Sequence, residues 1–300
     1  MSTKKFVFKG KGDTYFNIIN NCILTIILIV TIYPLYFILI ASISDPQAVN
    51  EGRVILLPQM ITLEGYQLIF NNAKIWIGYR NTIMYTVVGT LFNIILTMTL
   101  AYPLSRKRYR LRNAIMVYLM ITMYFSGGLI PTYLLVRSLG LYNTWTVMWI
   151  LGGVGVFNVV ITRTFLQSTI PDELYEAAIM DGCSDIAFFI RFVIPLSKAI
   201  MAVLAIYYGL GHWNQYTRGL IYLNDENKEP LQLVLRRILV LNITEDDFTD
   251  ENFMEILRKQ RLQGLVKYGL IIISSAPLLA AYPFLQKYFQ KGVMVGSIKG

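Results

Sequence analysis

The chain has 300 residues, of which 55% are hydrophobic and 15% are charged, and its mean hydropathy is +0.51. Because soluble domains carry roughly a quarter charged residues, this composition excludes an ordinary soluble domain and indicates a membrane protein. The net charge of +9 could also indicate nucleic-acid binding, but membrane topology explains its distribution, and we expect no nucleic-acid partner. The two cysteines, Cys22 and Cys183, match no metal-ligand spacing, so we expect neither a disulfide nor a metal site.

Six apolar stretches contain no Asp, Glu, Lys or Arg and approach the length of about 20 residues that a membrane-crossing helix needs. They are residues 18–43, 82–104, 114–135, 145–161, 199–217 and 268–285. The sequence therefore predicts an all-α polytopic membrane protein with six transmembrane helices. We expect an N-terminal tail over 1–17, a transmembrane domain over 18–286 and a C-terminal tail over 287–300. The first stretch is too long for a signal-peptide core and lacks a small-residue cleavage site, so we interpret it as a retained span.

Basic residues in the connections predict the orientation, since Lys and Arg beside a span stay in the cytoplasm. Residues 106–112 hold five basic residues and no acid. This loop, both termini and the connection over 169–196 are therefore predicted to be cytoplasmic. The inside segments hold 15 basic and 6 acidic residues, and the outside segments hold 12 of each, so the whole net charge lies inside.

Two segments predicted to be extracytoplasmic, 44–81 and 218–264, are long enough to hold structure. The second contains an acidic cluster between Glu245 and Glu251, whose spacing lacks the alternating ligands and central glycine of a calcium loop. We interpret this cluster as a solvated or partner-facing surface. Residues 230–240 in the same segment predict a short amphipathic helix near the membrane surface.

The residues that common enzyme classes require are missing. The sequence contains no phosphate-binding glycine loop followed by Lys and Ser or Thr, so any ATP-driven work needs a partner. The single histidine, His212, excludes a zinc protease, and neither a serine-nucleophile motif nor paired carboxylates occur within the spans. We therefore expect no catalytic residues and no cofactor in this chain.

Several polar and aromatic side chains within the spans are candidates for contact with a transported solute. They are Asn93, Tyr124, Asn158, Tyr208, His212, Trp213 and Asn214. Aromatic rings beside amide donors suit the apolar faces and hydroxyl rims of sugars. The alternative is structural, because an asparagine in a membrane helix often bonds a neighbouring helix and Tyr or Trp often marks the interface. Glycine and proline clusters at 127–131 and 152–155 indicate places where helices soften or approach closely.

The polar stretch from Pro171 to Pro195 separates two long apolar runs. Pro171 suits a first helical position and Gly182 suits the residue just past a helix end, which predicts a helix up to about Asp181. Ser184 is expected to cap a second short helix that ends before Pro195, because proline disfavours helical geometry in the residue ahead of it.

The spacing of residues in this stretch resembles the cytoplasmic motif of binding-protein-dependent ABC importer permeases. The matching positions are Glu176-Ala177-Ala178, Gly182 four residues later, Phe192 after nine more residues, and Ile194-Pro195. The family has Ile and Leu where this sequence has Phe192 and Ile194, and both changes keep the positions apolar. Residues 213–216, 230–233 and 291–300 resemble the carbohydrate branch, the maltose-type second permease, and within it the permeases for complex oligosaccharides.

The resemblance implies a type I ABC importer permease fold in a bacterial cell membrane. It implies partners: a second permease subunit in a heterodimer, two cytoplasmic ATPase subunits that bind ATP and Mg²⁺, an extracytoplasmic solute-binding protein and an oligosaccharide, in contact with membrane lipid. The residues implied to couple this chain to the ATPase are Glu176, Ala177, Ala178, Asp181, Gly182 and Pro195. The alternative function is a non-transport scaffold or sensor subunit that docks a cytoplasmic ATPase while no solute crosses.

Overall fold

The computed structural model describes residues 11–240, 261, 263–280 and 283. These residues form helices and connecting loops and contain no β-strand. They divide into two compact units, one from Met1–Asn71 and Ile243–Ile273 and the other from Asn72–Asn242 and Ser274–Gly300. The predicted acidic cluster between Glu245 and Glu251 and the tail over 287–300 lie outside the described residues.

The first unit contains three helices and the beginning of a fourth among its described residues. They are α1 (Lys11–Ser42), α2 (Pro46–Asn50), α3 (Glu64–Asn71) and the start of α15 (Gln263–Ala280). Most apolar side chains of α1 are exposed, as expected of a helix surrounded by lipid. The helices α3 and α15 approach closely at Gly65, where an added Cβ would lie 2.2 Å from the Leu265 carbonyl oxygen.

The second unit is organised around the 33-residue helix α4 (Ala73–Ser105). The other elements are α5 (Arg112–Tyr124), α6 (Leu129–Ser138), α7 (Val147–Ile150), α8 (Val156–Thr169), α9 (Asp172–Met180), α10 (Asp185–Phe188), a π turn (Phe189–Val193), α11 (Ile194–Leu196), α12 (Lys198–Trp213), α13 (Tyr216–Tyr222), a 3₁₀ turn (Glu226–Lys228) and α14 (Leu231–Val240). The helices α8, α12 and α14 pack against α4. Every functional residue discussed below lies in this unit.

Three helices in the described residues are individually long and apolar enough to cross a membrane. They are Tyr15–Ser42, Ala73–Ser105 and Gln263–Ala280, which overlap three of the six predicted spans. Two pairs of helices are long and apolar enough to cross a membrane only if each pair is taken as one bent span. They are α5 with α6, bent by 112°, and Asp185–Leu196 with α12, bent by 77°. Counting both pairs raises the number of candidate spans to as many as five.

The spans predicted over 114–135, 145–161 and 199–217 are not continuous helices, and the last of them is interrupted at Asn214 and Gln215. The first stretch is interrupted between Tyr124 and Leu129, and the second between Ile150 and Val156. Both breaks contain glycines with positive φ, Gly128 at 85° and Gly152 at 71°, a backbone conformation that other residues rarely adopt. The glycine clusters in the sequence therefore mark breaks and not merely softened helices.

The amphipathic helix predicted over 230–240 is present as α14, but it packs on α4. Leu231, Val234 and Leu235 are buried, and the Leu231 N–H donates to the Thr82 hydroxyl at 2.8 Å. On the polar side, Arg237 pairs with Glu226 and Glu229. The helix is therefore fixed to the second unit by apolar packing on one side and ion pairs on the other.

Candidate functional site

The predicted helix and glycine elbow are both present in the polar stretch. Helix α9 spans Asp172–Met180, with Pro171 one position outside it as the N-cap residue. At its end, the Gly182 N–H donates to the Ile179 carbonyl and the Cys183 N–H donates to the Ala178 carbonyl, both at 2.9 Å. These bonds form a Schellman motif, and Gly182 has the required positive φ of 77°.

The predicted cap of the second helix is confirmed, because the Ser184 hydroxyl accepts from the Ala187 N–H at 3.3 Å. The prediction that this helix ends before Pro195 was wrong. A π turn over Phe189–Val193 follows α10, and Pro195 lies within the short helix α11. Pro195 has no N–H to donate, and it is tolerated here because it occupies the first turn after the wider π turn.

The six predicted coupling residues do not share one face. Ala178 is buried, whereas Glu176, Ala177, Asp181, Gly182 and Pro195 are exposed. Two large apolar side chains beside the elbow are also exposed, Met180 at 87% and Ile186 at 73%. The outer surface of α9, the elbow and α10 therefore combines a carboxylate, small residues and unburied apolar groups. This combination is typical of a surface that a partner covers.

Arg106, at the end of α4, anchors the inner side of this stretch. Its guanidinium donates to the carbonyls of Ile170 at 3.1 Å and Leu166 at 3.4 Å, and it lies 3.5 Å from the Asp172 carboxylate. The residue is 9% exposed, and Tyr102 lies beneath it with the guanidinium carbon 5.5 Å from the ring centroid. Arg106 thus joins α4 to the end of α8 and the start of α9.

Tyr175 joins three segments through its hydroxyl group. It accepts from the Arg108 guanidinium at 2.9 Å and donates to the Asp185 carboxylate at 2.6 Å. The hydrogen bond to Asp185 raises the pKa of the Tyr175 hydroxyl. A cavity of about 590 Å³ opens beside these groups and is lined by Tyr102, Pro103, Arg106, Lys107, Arg108, Tyr109, Asp172, Tyr175, Glu176 and Asp185. Sequence analysis missed Arg106 and Tyr175, although the basic cluster at 106–112 was a signal for Arg106.

Two of the solute-pathway candidates contact each other between α4 and α12. The Asn93 side-chain nitrogen lies 3.1 Å from His212 Nε2, and Gln215 Oε1 lies 3.4 Å from His212 Nδ1. All three residues are buried. This contact matches the structural alternative, in which a polar side chain of a membrane helix bonds a neighbouring helix and does not contact a solute. Contact with a solute stays a prediction for Asn93 and His212.

Tyr208 joins three elements of the second unit. Its hydroxyl lies 2.6 Å from the Thr97 hydroxyl on α4 and accepts from the Gly155 N–H at 3.1 Å. Asn158, one turn into α8, is also buried. These residues support the contact between α4, α8 and α12.

The remaining candidates are separated from this buried group. The Trp213 indole N–H donates to the Ser274 carbonyl at 3.2 Å, while the exposed Asn214 side chain donates to the Leu210 carbonyl at 3.0 Å. Tyr124, at the end of α5, is 77% exposed. Of the predicted pathway residues in the described part of the chain, Tyr124 and Asn214 are therefore the two with exposed side chains.

Comparison with known proteins identifies the family. Residues 75–295 match the family described as "Binding-protein-dependent transport system inner membrane component". This chain belongs to that family. It is a membrane permease of ABC importers and not a catalytic subunit. The match covers α4 from its third residue onward and the whole polar stretch from Pro171 to Pro195.

Relatives of this permease extend over nearly its full length. Protein LplC of Bacillus subtilis (strain 168) is 36% identical over 290 residues, which cover 97% of each chain. The polygalacturonan/rhamnogalacturonan transport system permease protein YtcP of the same organism is 33% identical over 273 residues, covering 91% of this permease and 94% of YtcP.

A solved structure shares the fold. It is the crystal structure of a bacterial ABC transporter involved in the import of the acidic polysaccharide alginate. The similarity has a TM-score of 0.83 with 34% identity and covers 94% of this permease and 99% of the other chain. The permease therefore has the type I ABC permease fold.

Proposed function

We propose that this permease passes an acidic oligosaccharide across the cell membrane, driven by ATP that is bound and hydrolysed on two separate cytoplasmic subunits. The proposed assembly also contains a second, different permease subunit and an extracytoplasmic solute-binding protein. The observation that carries the coupling proposal is the exposed outer surface of α9 and its elbow, attached to α4 on its inner side.

The geometry of α9 supports docking into a groove. Helix α9 is nine residues long and ends at the Gly182 elbow, and its Glu176 and Ala177 are exposed. Ala177 is small enough to permit close approach by a partner. Exposed Met180 and Ile186 add apolar surface on either side of Gly182. Glu176 would pair with a cation of the ATPase, and closure of the two ATPase subunits on ATP would move the elbow.

The acidic character of the proposed sugar rests on the relatives. YtcP is named for polygalacturonan and rhamnogalacturonan, and the solved transporter imports alginate, so both handle sugars that carry carboxylates. Among the proposed contacts for the sugar, Tyr124 and Asn214 have exposed side chains in the described part of the chain.

The coupling proposal is tested by uptake of a labelled oligogalacturonate into vesicles that hold the complete importer. Gly182→Asp places a side chain on the docking surface, and Glu176→Lys reverses the charge there. Both variants are expected to lower uptake at least tenfold while the complex still assembles. Uptake at the normal rate in both would refute coupling through this surface and leave the scaffold function as the better explanation.

Gly140→Asp is a matched control for Gly182→Asp. Gly140 has a φ of 68°, close to the 77° of Gly182, and neither position has an atom within 4 Å of an added Cβ. The two variants therefore both place a side chain at a similar positive φ and differ in their location. Gly140→Asp is expected to transport normally.

We propose six spans with both termini, the 106–112 loop and the coupling stretch in the cytoplasm. In a variant with both cysteines replaced by serine, Leu111→Cys, which is 59% exposed in the 106–112 loop, is expected to react with a membrane-impermeant maleimide only when the cytoplasmic side is accessible. Ile61→Cys, which is 70% exposed in the segment proposed to lie outside, is expected to react only from the other side. Labelling of both from one side would overturn this topology.

A further inference from the structure

We propose that Tyr175 is a positioning residue that transmits movement of the docking surface to α4, through its hydrogen bonds to Arg108 and Asp185. This inference rests on the proposed coupling function and adds to it the connection between the docking surface and the membrane-spanning helices. Tyr175 lies on the inner side of α9, away from the exposed Ala177.

The Tyr175 hydroxyl joins the two helices on either side of the glycine elbow. Tyr175 belongs to α9, and its acceptor Asp185 is the first residue of α10, ten positions further along the chain. The Gly182 backbone alone would leave the angle between these helices adjustable. The 2.6 Å hydrogen bond from Tyr175 to the Asp185 carboxylate restrains that angle, since bonds to charged groups are shorter and stronger than neutral ones.

The same hydroxyl is tied to the basic loop at the end of α4. Arg108 donates to it at 2.9 Å. Arg108 is two residues past Arg106, which is itself held by the carbonyls of Ile170 and Leu166. A displacement of either short helix would therefore pull on the loop, and through the loop on α4.

Aromatic packing supports the ring of Tyr175 in this position. It meets Phe188 edge to face, with 5.2 Å between ring centroids. Phe188 is fully buried and stacks on Phe192, also at 5.2 Å. Tyr102 of α4 lies over Phe189 at 5.2 Å. Because this packing holds the ring, the substitution Tyr175→Phe removes the hydroxyl and its two hydrogen bonds while leaving the apolar contacts in place.

The donor and acceptor roles require a neutral tyrosine. The hydrogen bond to Asp185 raises the pKa of Tyr175. The hydroxyl therefore keeps its proton throughout the physiological pH range and continues to donate to Asp185. The connection is expected to act as a constant mechanical link and not as a pH switch.

The test measures whether α4 and the coupling stretch move together in the assembled importer. Spin labels are placed at Ile83→Cys on α4 and Ile190→Cys in the π turn, two exposed positions, in a variant with both native cysteines replaced by serine. In the otherwise unchanged protein we expect one narrow distance that ATP does not alter. With Tyr175→Phe added, we expect a broader distribution that shifts when ATP binds.

The functional counterpart is the amount of labelled oligogalacturonate taken up per ATP hydrolysed. We expect Tyr175→Phe to lower this ratio roughly fivefold to tenfold, because both bonds involve charged partners, while ATP hydrolysis by the complex continues. Tyr109→Phe is the matched control. Tyr109 lines the same cavity, but its hydroxyl has no hydrogen-bond partner among the residues that the structure describes. The Tyr109→Phe variant is expected to keep the normal amount of uptake per ATP hydrolysed.

A second pair of variants keeps the proposal testable if Tyr175→Phe does not assemble. Asp185→Asn keeps an acceptor for the tyrosine hydroxyl and is expected to retain most of the ratio, whereas Asp185→Ala is expected to lose it. Equal ratios and equal spin-label distances in these two variants would overturn the proposal, as would a Tyr175→Phe variant identical to the unchanged protein. If Gly182→Asp also transports normally, the docking proposal has failed; if only Tyr175→Phe does, the failure is confined to this link.

Discussion

Gly89→Ala is expected to disturb the packing of α4 against α12. A methyl group at position 89 would lie 2.5 Å from His212 Nε2 and 2.6 Å from its Cε1. Carbon contacts in a packed interior are about 3.5–4.0 Å, so the imidazole ring would have to move by roughly 1 Å. Asn93 and Gln215 hold the ring on opposite sides, which makes that movement costly.

The energetic effect follows from three terms. Overpacking of this size costs about 1–3 kcal/mol, and loss of the Asn93–His212 hydrogen bond adds about 1 kcal/mol. Replacing glycine by alanine within a helix returns about 1 kcal/mol. We therefore expect a net loss of about 1–3 kcal/mol.

Gly211→Ala provides the matched control because Gly211 lies on α12, one residue before His212, and an added Cβ there meets no atom within 4 Å. This variant should be neutral or stabilised by helix propensity. The assay is the midpoint of thermal unfolding of the purified importer in one detergent. A Gly89→Ala complex that melts at or above the Gly211→Ala complex would refute the steric argument.

Substitutions at three further positions test the packing of both units by the same thermal assay. Gly65→Ala should destabilise the protein by about 2 kcal/mol or more, because the added methyl would lie 2.2 Å from the Leu265 carbonyl oxygen and a backbone atom cannot move away easily. An unchanged midpoint of thermal unfolding would contradict this close approach. Asn81→Ala should cost about 2–3 kcal/mol, since the buried amide donates to two backbone carbonyls before α14 at 2.8 and 2.9 Å, and Asn81→Asp should not restore stability because it lacks the donor. Burial raises the pKa of Glu229 and outweighs the attraction of its partner Arg237, which acts in the opposite direction. The stability contributed by Glu229 is therefore complete below the pKa of an unfolded glutamate and is lost as pH rises through the folded value. Glu229→Gln should remove this pH dependence of the unfolding midpoint. If the variant and the unchanged protein show the same dependence on pH, the raised pKa of Glu229 is refuted.

Local features of the polar stretch from Pro171 to Pro195 were predictable from sequence. The glycine stop at Gly182 and the Ser184 cap depend on residues within five positions of each other, so the sequence pattern contains what is needed. The continuation of the helix through Pro195 was not predictable in this way. It depends on a π turn, and the packing of Phe188 against α4 and α9 accompanies that turn.

Contacts between distant residues account for what sequence analysis missed. Asn93 and His212 are 119 positions apart, and nothing in their neighbouring residues indicates that they meet. Asn143 adopts a positive φ of 56°, and its side-chain oxygen accepts from the N–H groups of Asn224 and Asp225 at 3.1 Å. No local sequence motif predicts the contact of Asn143 with Asn224 and Asp225, because the packing of α4, α7 and α13 creates it and local propensity does not.

The elbow at Gly182 keeps its shape through bonds that begin and end within a few residues of it. The donors Gly182, Cys183 and Ala187 find their acceptors three to five positions earlier. The backbone of the elbow is thus held locally, whereas Arg106 and Arg108, which lie outside the stretch, attach it to α4. Exchanging residues 172–187 between related permeases should carry the backbone of the elbow over intact. On the proposed coupling function, chimaeras of this kind would change which ATPase a permease recruits while its transmembrane helices stay the same.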